Sequence, residues 1–220
     1  TNIGDGYSCI EMSGFNNEFI SNTFGNCSRP ISSGTSTGGS NYLIKSNIFN
    51  GSKENRGFQL YGSNMTIINN TLSNLDSVAI NLRDINNSNI INNTIYNASY
   101  GLILIGASSN LGTFDWDSVS PPSRGSLNNK NITIIGNVFL NITNNAMILA
   151  GDNFTVYNNT IISYTQSSMT LPAIHGVSLN NSRVYNNTIS SYQNGIEISH
   201  SENLTINSNT IYNNTRYGIN

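Results

Sequence analysis

The sequence predicts an all-β fold in which parallel strands wind into about eight to nine stacked coils of 22–23 residues each. Three observations predict it. A short phrase recurs along the chain, apolar residues alternate within each copy, and asparagine fills 42 of the 220 positions. Together these features are typical of a solenoid with one domain spanning residues 1–220.

The repeated phrase consists of an Asn, five residues, a second Asn, one residue, and then Ile, Leu or Phe. Five of the seven spacings between copies are nearly equal, and their size is that expected of one coil. The second Asn of each copy is Asn22, Asn47, Asn70, Asn93, Asn137, Asn159, Asn187 or Asn209.

Apolar residues within each copy alternate with polar ones, as in Ile132-Thr133-Ile134. This period of two predicts a strand with one buried face, whereas helical spacing never persists beyond one turn. A second extended segment precedes most copies, for example Gly101 to Leu104. Each coil therefore contains at least two strands separated by polar bends.

The strands could be connected as antiparallel hairpins or as parallel coils. Hairpins would not require the same residue at the same place in every period, whereas coils stack equivalent positions about 4.8 Å apart. A stacked Asn can donate to one neighbour and accept from the other. We therefore predict a ladder of the eight second asparagines, placed at a bend where Asn tolerates left-handed backbone.

Asn-Asn-Thr-Ile phrases at 92–95, 158–161 and 186–189, with Asn-Asn-Thr-Leu at 69–72, accompany the Gly-apolar-x-apolar segments. On these motifs the chain resembles the right-handed parallel β-helix repeat family. That family includes pectin-degrading enzymes, phage tailspikes, NosD-like periplasmic proteins and many bacterial and archaeal surface proteins. The resemblance implies a right-handed, single-stranded parallel β-helix, and it is specific for the fold alone.

Three insertions are expected to leave the stack, near 32–40, 106–129 and 163–172. The second explains why Asn93 and Asn137 are separated by about twice the length of one coil, since its Pro121-Pro122 pair cannot supply ladder hydrogen bonds. The loss of one phrase from a coil is the alternative explanation. The third accounts for the lengthened spacing between Asn159 and Asn187.

No capping element is recognisable at either end of the sequence. Because a bare terminal coil exposes unpaired backbone and apolar surface, two explanations stand. The chain is part of a longer protein, or one subunit docks on the next end to end. Such docking is head to tail and would generate a filament.

Cys9 and Cys27 are the only cysteines, about one coil apart. A disulfide formed in an oxidising compartment is favoured over two free thiols. With His175 and His200 far along the chain, the two cysteines make a poor zinc set, and no metal site or cofactor is predicted.

Fifteen Asn-x-Ser/Thr triplets are present, moderately above the number expected by chance from this composition. The best candidates for N-glycosylation share the outward parity of the first Asn of the phrase: Asn64, Asn131, Asn153 and Asn203. Candidates near bends or loops come next: Asn26, Asn50, Asn97, Asn141 and Asn213. Four others, at Asn69, Asn92, Asn158 and Asn186, lie beside the ladder and could be structural only.

Only 9% of residues are charged and the net charge is −2, so there is no basic surface to hold a nucleic acid. No apolar stretch is long enough to span a membrane. The sequence begins without a Met or an apolar leader, which fits a processed protein or an excised segment.

The family resemblance implies polysaccharide cleavage as one possible activity, which requires clustered carboxylates. The 11 acidic residues are scattered, and only Asp115, Asp117 and His175 form a conceivable constellation. We predict no catalytic residues. The NosD-like resemblance would imply copper handling, but no Met/His cluster supports it. Tyrosines at 157, 164, 185, 192, 212 and 217 could form an outward strip for sugar rings.

The sequence thus predicts an extracellular or cell-surface structural protein that carries N-glycans. Its partners would be copies of itself, assembled head to tail into a filament or layer. The alternative is a carbohydrate-binding or carbohydrate-cleaving domain of a larger secreted protein.

Overall fold

A computed structural model describes residues 8–25, 27, 29–33, 39–51, 56–105, 128–164 and 171–220. All regular structure among these residues is β, and every strand pairing is parallel. The strands form a right-handed β-solenoid of eight coils, followed by the opening strand of a ninth. The predicted fold class is therefore confirmed.

Three parallel sheets line the solenoid, and each coil visits them in the order C, A, B. Sheet C is the first strand of each coil. It comprises β1 (Ser8–Met12), β4 (Arg29–Ser33), β7 (Phe58–Ser63), the middle of β9 (Thr71–Ile91), the end of β10 (Thr94–Ile105), the start of β13 (Met147–Tyr157), β15 (Ile174–Asn180), β18 (Asn194–Ser199) and β21 (Tyr217–Ile219).

Sheets A and B follow, separated by a sharp corner. Sheet A contains β2 (Glu18–Ile20), β5 (Leu43–Lys45), β8 (Thr66–Ile68), the end of β9, β11 (Lys130–Ile135), the end of β13, β16 (Arg183–Tyr185) and β19 (Thr205–Asn207). Sheet B contains β3 (Thr23–Gly25), β6 (Ile48–Asn50), the start of β9, the start of β10, β12 (Val138–Ile142), β14 (Thr160–Ile162), β17 (Thr188–Ser190) and β20 (Thr210–Tyr212).

The core runs along the solenoid axis because alternate residues of all three sheets point inward. Equivalent apolar residues stack on one another in each sheet, as Ile90, Ile134 and Val156 do in sheet A. These three side chains are almost completely buried. At about 1.5–3 kcal/mol for each buried aliphatic side chain, this continuous column is the main source of stability.

The coil that contains Asn93 pairs directly with the coil that contains Asn137, although the two asparagines are far apart in the sequence. The stack therefore continues without a step at this point. Most residues of the three predicted insertions lie outside the described residues. At the edges of two insertions, however, described residues belong to the stack and not to a loop. Ser32 and Ser33 belong to strand β4, and Asn129 is buried against the stack, where its side chain accepts from the Ile85 N–H and donates to the Ala150 carbonyl. In each case the register with neighbouring strands, invisible in a single coil's sequence, holds the residue in place.

The corners of the coil use left-handed backbone, and asparagine supplies most of it. Among the described residues, sixteen of the 23 non-glycine residues with positive φ are Asn. The first Asn of the phrase adopts this conformation in all eight copies, with φ between 49° and 62°. The sixteen asparagines with positive φ and the eight ladder residues together make up 24 of the 42 asparagines in the chain.

One expectation about the corners was wrong. The predicted ladder residues do not themselves carry positive φ; the residue before each of them does. The left-handed residues are Ser21, Ser46, Asn69, Asn92, Gly136, Asn158, Asn186 and Ser208. This residue turns the backbone, so the next side chain points into the core instead of outward.

Candidate functional site

The second asparagines of the phrase form a continuous column, here called the inner ladder, between sheets A and B. In each step the backbone N–H and the Nδ2 of one Asn both donate to the Oδ1 of the Asn in the next coil, at 2.9–3.0 Å. The six middle members are at most 1% exposed. The column crosses both long spacings, so Asn93 donates to Asn137 and Asn159 donates to Asn187.

Each inner amide is fully used. The Nδ2 of Asn137, for instance, also donates to the carbonyls of Ile90 and Ile135. Since a buried polar group without a partner is costly, the ladder satisfies the corner backbone groups that the sheets leave over. Its role is structural.

Two further columns of asparagines lie on the outer surface. The first outer column, at the corner between sheets C and A, links the first asparagines of the phrase, such as Asn153 to Asn131 at 2.8 Å. The second outer column, at the corner between sheets B and C, links Asn141 to Asn97, Asn97 to Asn74 and Asn74 to Asn50 at 2.7–3.1 Å. In both columns the Nδ2 donates to the preceding coil, opposite to the direction of the inner ladder.

Most of the predicted glycosylation candidates belong to these outer columns. Asn64, Asn131, Asn153 and Asn203 are exposed members of the first column, and each donates one Nδ2 hydrogen to its neighbour. The second column contains Asn50, Asn97 and Asn141. Asn213 is exposed, and Asn26 lies outside the described residues.

The four triplets beside the inner ladder have exposed asparagines too. Asn69, Asn92, Asn158 and Asn186 are as exposed as the preferred candidates and hold left-handed corners. Their side chains make no hydrogen bond to a described residue. Parity along the strand could not reveal this, because the corner rotates these side chains away from the ladder.

Cys9 and Cys27 form a disulfide with Cα atoms 5.8 Å apart, as the sequence predicted. The bond ties strand β1 to the segment after strand β3, across the first coil. Because disulfides persist in oxidising compartments, this bond indicates a location outside the cytosol.

The predicted tyrosine strip is only partly realised. Tyr157 and Tyr185 stack on the outer face of sheet A, with ring centroids 5.0 Å apart. Tyr192, in contrast, is fully buried, donates its hydroxyl to the Ile142 carbonyl, and has a pKa raised by burial. The prediction that this tyrosine lies on the surface was wrong. It follows a corner, where the alternation of inward and outward side chains in a strand does not apply.

Of the three residues of the conceivable catalytic constellation, the structure describes only His175. Asp115 and Asp117 lie outside the described residues, while His175 is nearly buried on the outer face of sheet C. No group of three or more His, Cys, Asp or Glu side chains that could hold a metal occurs in the described part of the chain. Within that same part, no helix is long and apolar enough to cross a membrane.

Comparison with known families agrees with the geometry. Residues 2–115, just over half of the chain, match the sequence model of the family described as Periplasmic copper-binding protein (NosD). Residues 123–220 match that described as Right handed beta helix region. Neither the curated proteins nor the solved structures that were searched give a match.

The copper ligands that the family description implies do not fit the described residues. Copper favours Cys, Met and His donors, but both cysteines are in a disulfide, and Met12, Met65 and Met147 are buried. His175 and His200 lie in different settings, the first on a strand and the second at a left-handed corner. We therefore assign no copper chemistry to the described residues. The fold, the family matches and the disulfide identify it as a β-helix protein of the NosD family, located in the periplasm or outside the cell.

Proposed function

We propose that this protein is a structural, N-glycosylated element of an extracellular filament or layer, in which copies stack head to tail. One observation carries the proposal. Every bond of the inner ladder runs in the same direction, so the two end surfaces of the stack are complementary. A second copy placed on either end would continue the ladder without any change in geometry.

The chemistry of the two ends supports this arrangement. Asn22 accepts no hydrogen bond at its Oδ1 from any described residue, and its counterpart Asn209 has a backbone N–H with no described acceptor. Joining the ends would therefore pair a donor with an acceptor. In sheets A and B the strands of coils 1 and 8 would likewise gain parallel partners at about 4.8 Å, whereas in sheet C strand β18 of coil 8 already pairs with β21.

Exposed apolar surface at the two ends also supports end-to-end assembly. Several inward-facing residues of coils 1 and 8 are only partly buried, for example Phe19, Ile206 and Ile211. Covering such residues is worth about 25 cal/mol per Å² of apolar surface. A second copy would cover them, and so would a further coil of the same polypeptide.

Electron microscopy of negatively stained native material tests the assembly. We expect fibres with a subunit repeat of about 40 Å, which is eight coils at the strand spacing. Sedimentation of the purified chain as monomers at all concentrations, with no fibres, would contradict the proposal. A matched variant, Ile211→Lys, places a charge on one end surface and should abolish the fibres without changing the middle coils.

Glycosylation is the second part of the proposal. An N-glycan replaces one of the two hydrogens on an Asn Nδ2, so one donor remains for the outer column. The exposed candidates can therefore carry sugar without losing their contacts. The intact mass of the protein should exceed the mass of its unmodified polypeptide, to which these 220 residues contribute 23.9 kDa, by the mass of several glycans, and equality of the two masses would contradict this part.

A carbohydrate-binding role is the second candidate, favoured by the stacked Tyr157 and Tyr185. The half-exposed pair offers aromatic surface on the outer face of sheet A. Saccharide-dependent thermal shifts that disappear in Tyr185→Ala, with monomers under the microscope, would favour this function. As no cluster of carboxylates suited to cleavage occurs among the described residues, we propose binding and not hydrolysis.

A further inference from the structure

Five large side chains form an apolar strip on the outer face of sheet A. They stack in register in coils 3 to 7, and each is half-exposed: Ile68, Ile91, Ile135, Tyr157 and Tyr185. Lys45 occupies the same position in coil 2 and Asn207 in coil 8, so the strip is bounded by polar residues at both ends. A continuous apolar strip on an exposed sheet favours sideways association with other chains unless something covers it.

The residue after each member of the apolar strip turns the corner toward sheet B. In coil 5 this residue is Gly136. In the other four coils it is an asparagine with positive φ, here called a ladder-side asparagine: Asn69, Asn92, Asn158 and Asn186. Because of the left-handed corner, a strip residue and the asparagine after it both lie outside the core, as half-exposed Tyr157 and exposed Asn158 do. Each ladder-side asparagine is therefore directly beside the strip.

The side-chain amides of the ladder-side asparagines differ from those of the two outer columns. Asn158 and Asn186 hold equivalent corners of successive coils, yet within the described part of the chain no hydrogen bond joins their side chains to each other or to another residue. In the first outer column, by contrast, Asn153 donates to Asn131 at 2.8 Å. The corner itself does not require asparagine, because serine or glycine holds it in the other four coils. The fold therefore leaves these four amides unused.

Each ladder-side asparagine begins an Asn-x-Thr triplet whose Thr also points outward. The middle residue is the buried Asn of the inner ladder, and the Thr is half-exposed at the start of a sheet B strand: Thr71, Thr94, Thr160 and Thr188. Thr is not required at this place, since Ile48 and Val138 occupy it in two of the coils whose corner is serine or glycine. An exposed Asn with an unused amide and an outward Thr two residues later is suited to N-glycosylation.

We propose that the ladder-side asparagines carry N-glycans whose first sugar lies against the apolar strip. This inference rests on the glycosylation part of the proposed function and adds the sites and the surface that the sugar covers. A pyranose presents a face of C–H groups that packs on aromatic and aliphatic side chains, while its hydroxyls stay in water. Tyr157 and Tyr185, whose rings stack 5.0 Å apart, supply the aromatic part of that surface. The covered strip can no longer associate with the side of another chain.

Mass spectrometry of glycopeptides from the native protein tests the assignment of these sites. The asparagines of each adjacent pair, Asn69 with Asn92 and Asn158 with Asn186, are about 4.8 Å apart, so one glycan is enough to cover the strip beside the pair. We expect a glycan on at least one member of each pair. A pair without any glycan, in a protein that carries sugar at other asparagines, would overturn this inference and leave the glycosylation part of the proposed function intact. A protein without any glycan would overturn both.

A pair of double variants, both made in the natural host, tests whether the sugar covers the strip. Thr160→Ala with Thr188→Ala removes both acceptor triplets and leaves the asparagine corners unchanged. Thr160→Ser with Thr188→Ser is the matched control, because Asn-x-Ser remains an acceptor. The Ala variant should lose the glycan at Asn158 and Asn186 and bind more of a hydrophobic fluorescent dye than the Ser variant, since the strip beside Tyr157 and Tyr185 is uncovered. Equal dye fluorescence, with the glycan lost only from the Ala variant, would overturn the packing of sugar on the strip.

Discussion

The inner ladder and the outer columns use the same residue at opposite ends of the burial scale. In both, an Asn side chain bonds to the equivalent Asn one coil away at 2.7–3.1 Å. The inner amides are shielded from water and also hold corner carbonyls, whereas the outer amides are largely exposed and bond mainly to each other. The difference indicates that burial, and not the hydrogen bond itself, makes an asparagine column structurally essential.

The largest expected effect is the loss of an inner amide from the middle of the stack. Asn137→Ala leaves the backbone N–H and Nδ2 of Asn93 without their acceptor and the carbonyl of Ile90 without its donor. At about 1–3 kcal/mol for each of these three buried groups, the free energy of unfolding should fall by about 3 kcal/mol or more. Urea denaturation followed by circular dichroism measures it, and a loss below about 1 kcal/mol would show that the ladder is dispensable.

Removal of the disulfide should cause the next largest loss of stability. The disulfide lies in the first coil, where the inner ladder is least shielded from solvent. Asn22 is exposed, unlike the middle members of the inner ladder. Replacing both cysteines with Ser should cost about 2–4 kcal/mol. Thermal unfolding with and without reductant gives the same comparison in the natural sequence, and an unchanged melting temperature would contradict it.

An Asp placed in the inner ladder and one placed in the first outer column should change the pH dependence of stability differently. In Asn137→Asp, burial should raise the carboxyl pKa above its unfolded value of about 3.9, so the folded state binds more protons than the unfolded state. Stability is then retained at low pH and falls as pH rises through the folded pKa. In Asn131→Asp the carboxyl is exposed, and stability between about pH 4 and 8 should change little. Parallel pH profiles of the two variants would refute the burial argument.

The smallest loss of stability is expected for a substitution in the first outer column. Asn131→Ala removes one exposed bond to Asn87 and one from Asn153. Part of its cost comes from the left-handed corner, where Ala is less tolerated than Asn, so the loss should be about 1 kcal/mol. Asn131→Gly keeps the corner and should cost less, which separates the backbone contribution from that of the side chain.

Much of the fold could be predicted because a solenoid repeats its rules in every coil. The column of Asn22 to Asn209 follows from spacing alone, and the pairing of Cys9 with Cys27 from their distance of about one coil. Features that depend on contacts between coils, or on the direction of the chain after a corner, could not be predicted from the repeat. Asn129 is buried by its neighbours across the stack, and Tyr192 turns inward after a corner.

The most direct test of the account is hydrogen exchange of the asparagine side-chain amides in the ¹⁵N-labelled folded protein. We predict that the Nδ2 hydrogens of Asn47, Asn70, Asn93, Asn137, Asn159 and Asn187 are strongly protected. Those of the outer columns should exchange at close to the rate of free amide. Similar rates in both sets would contradict the claim that a buried, directional column of amides holds the coils together.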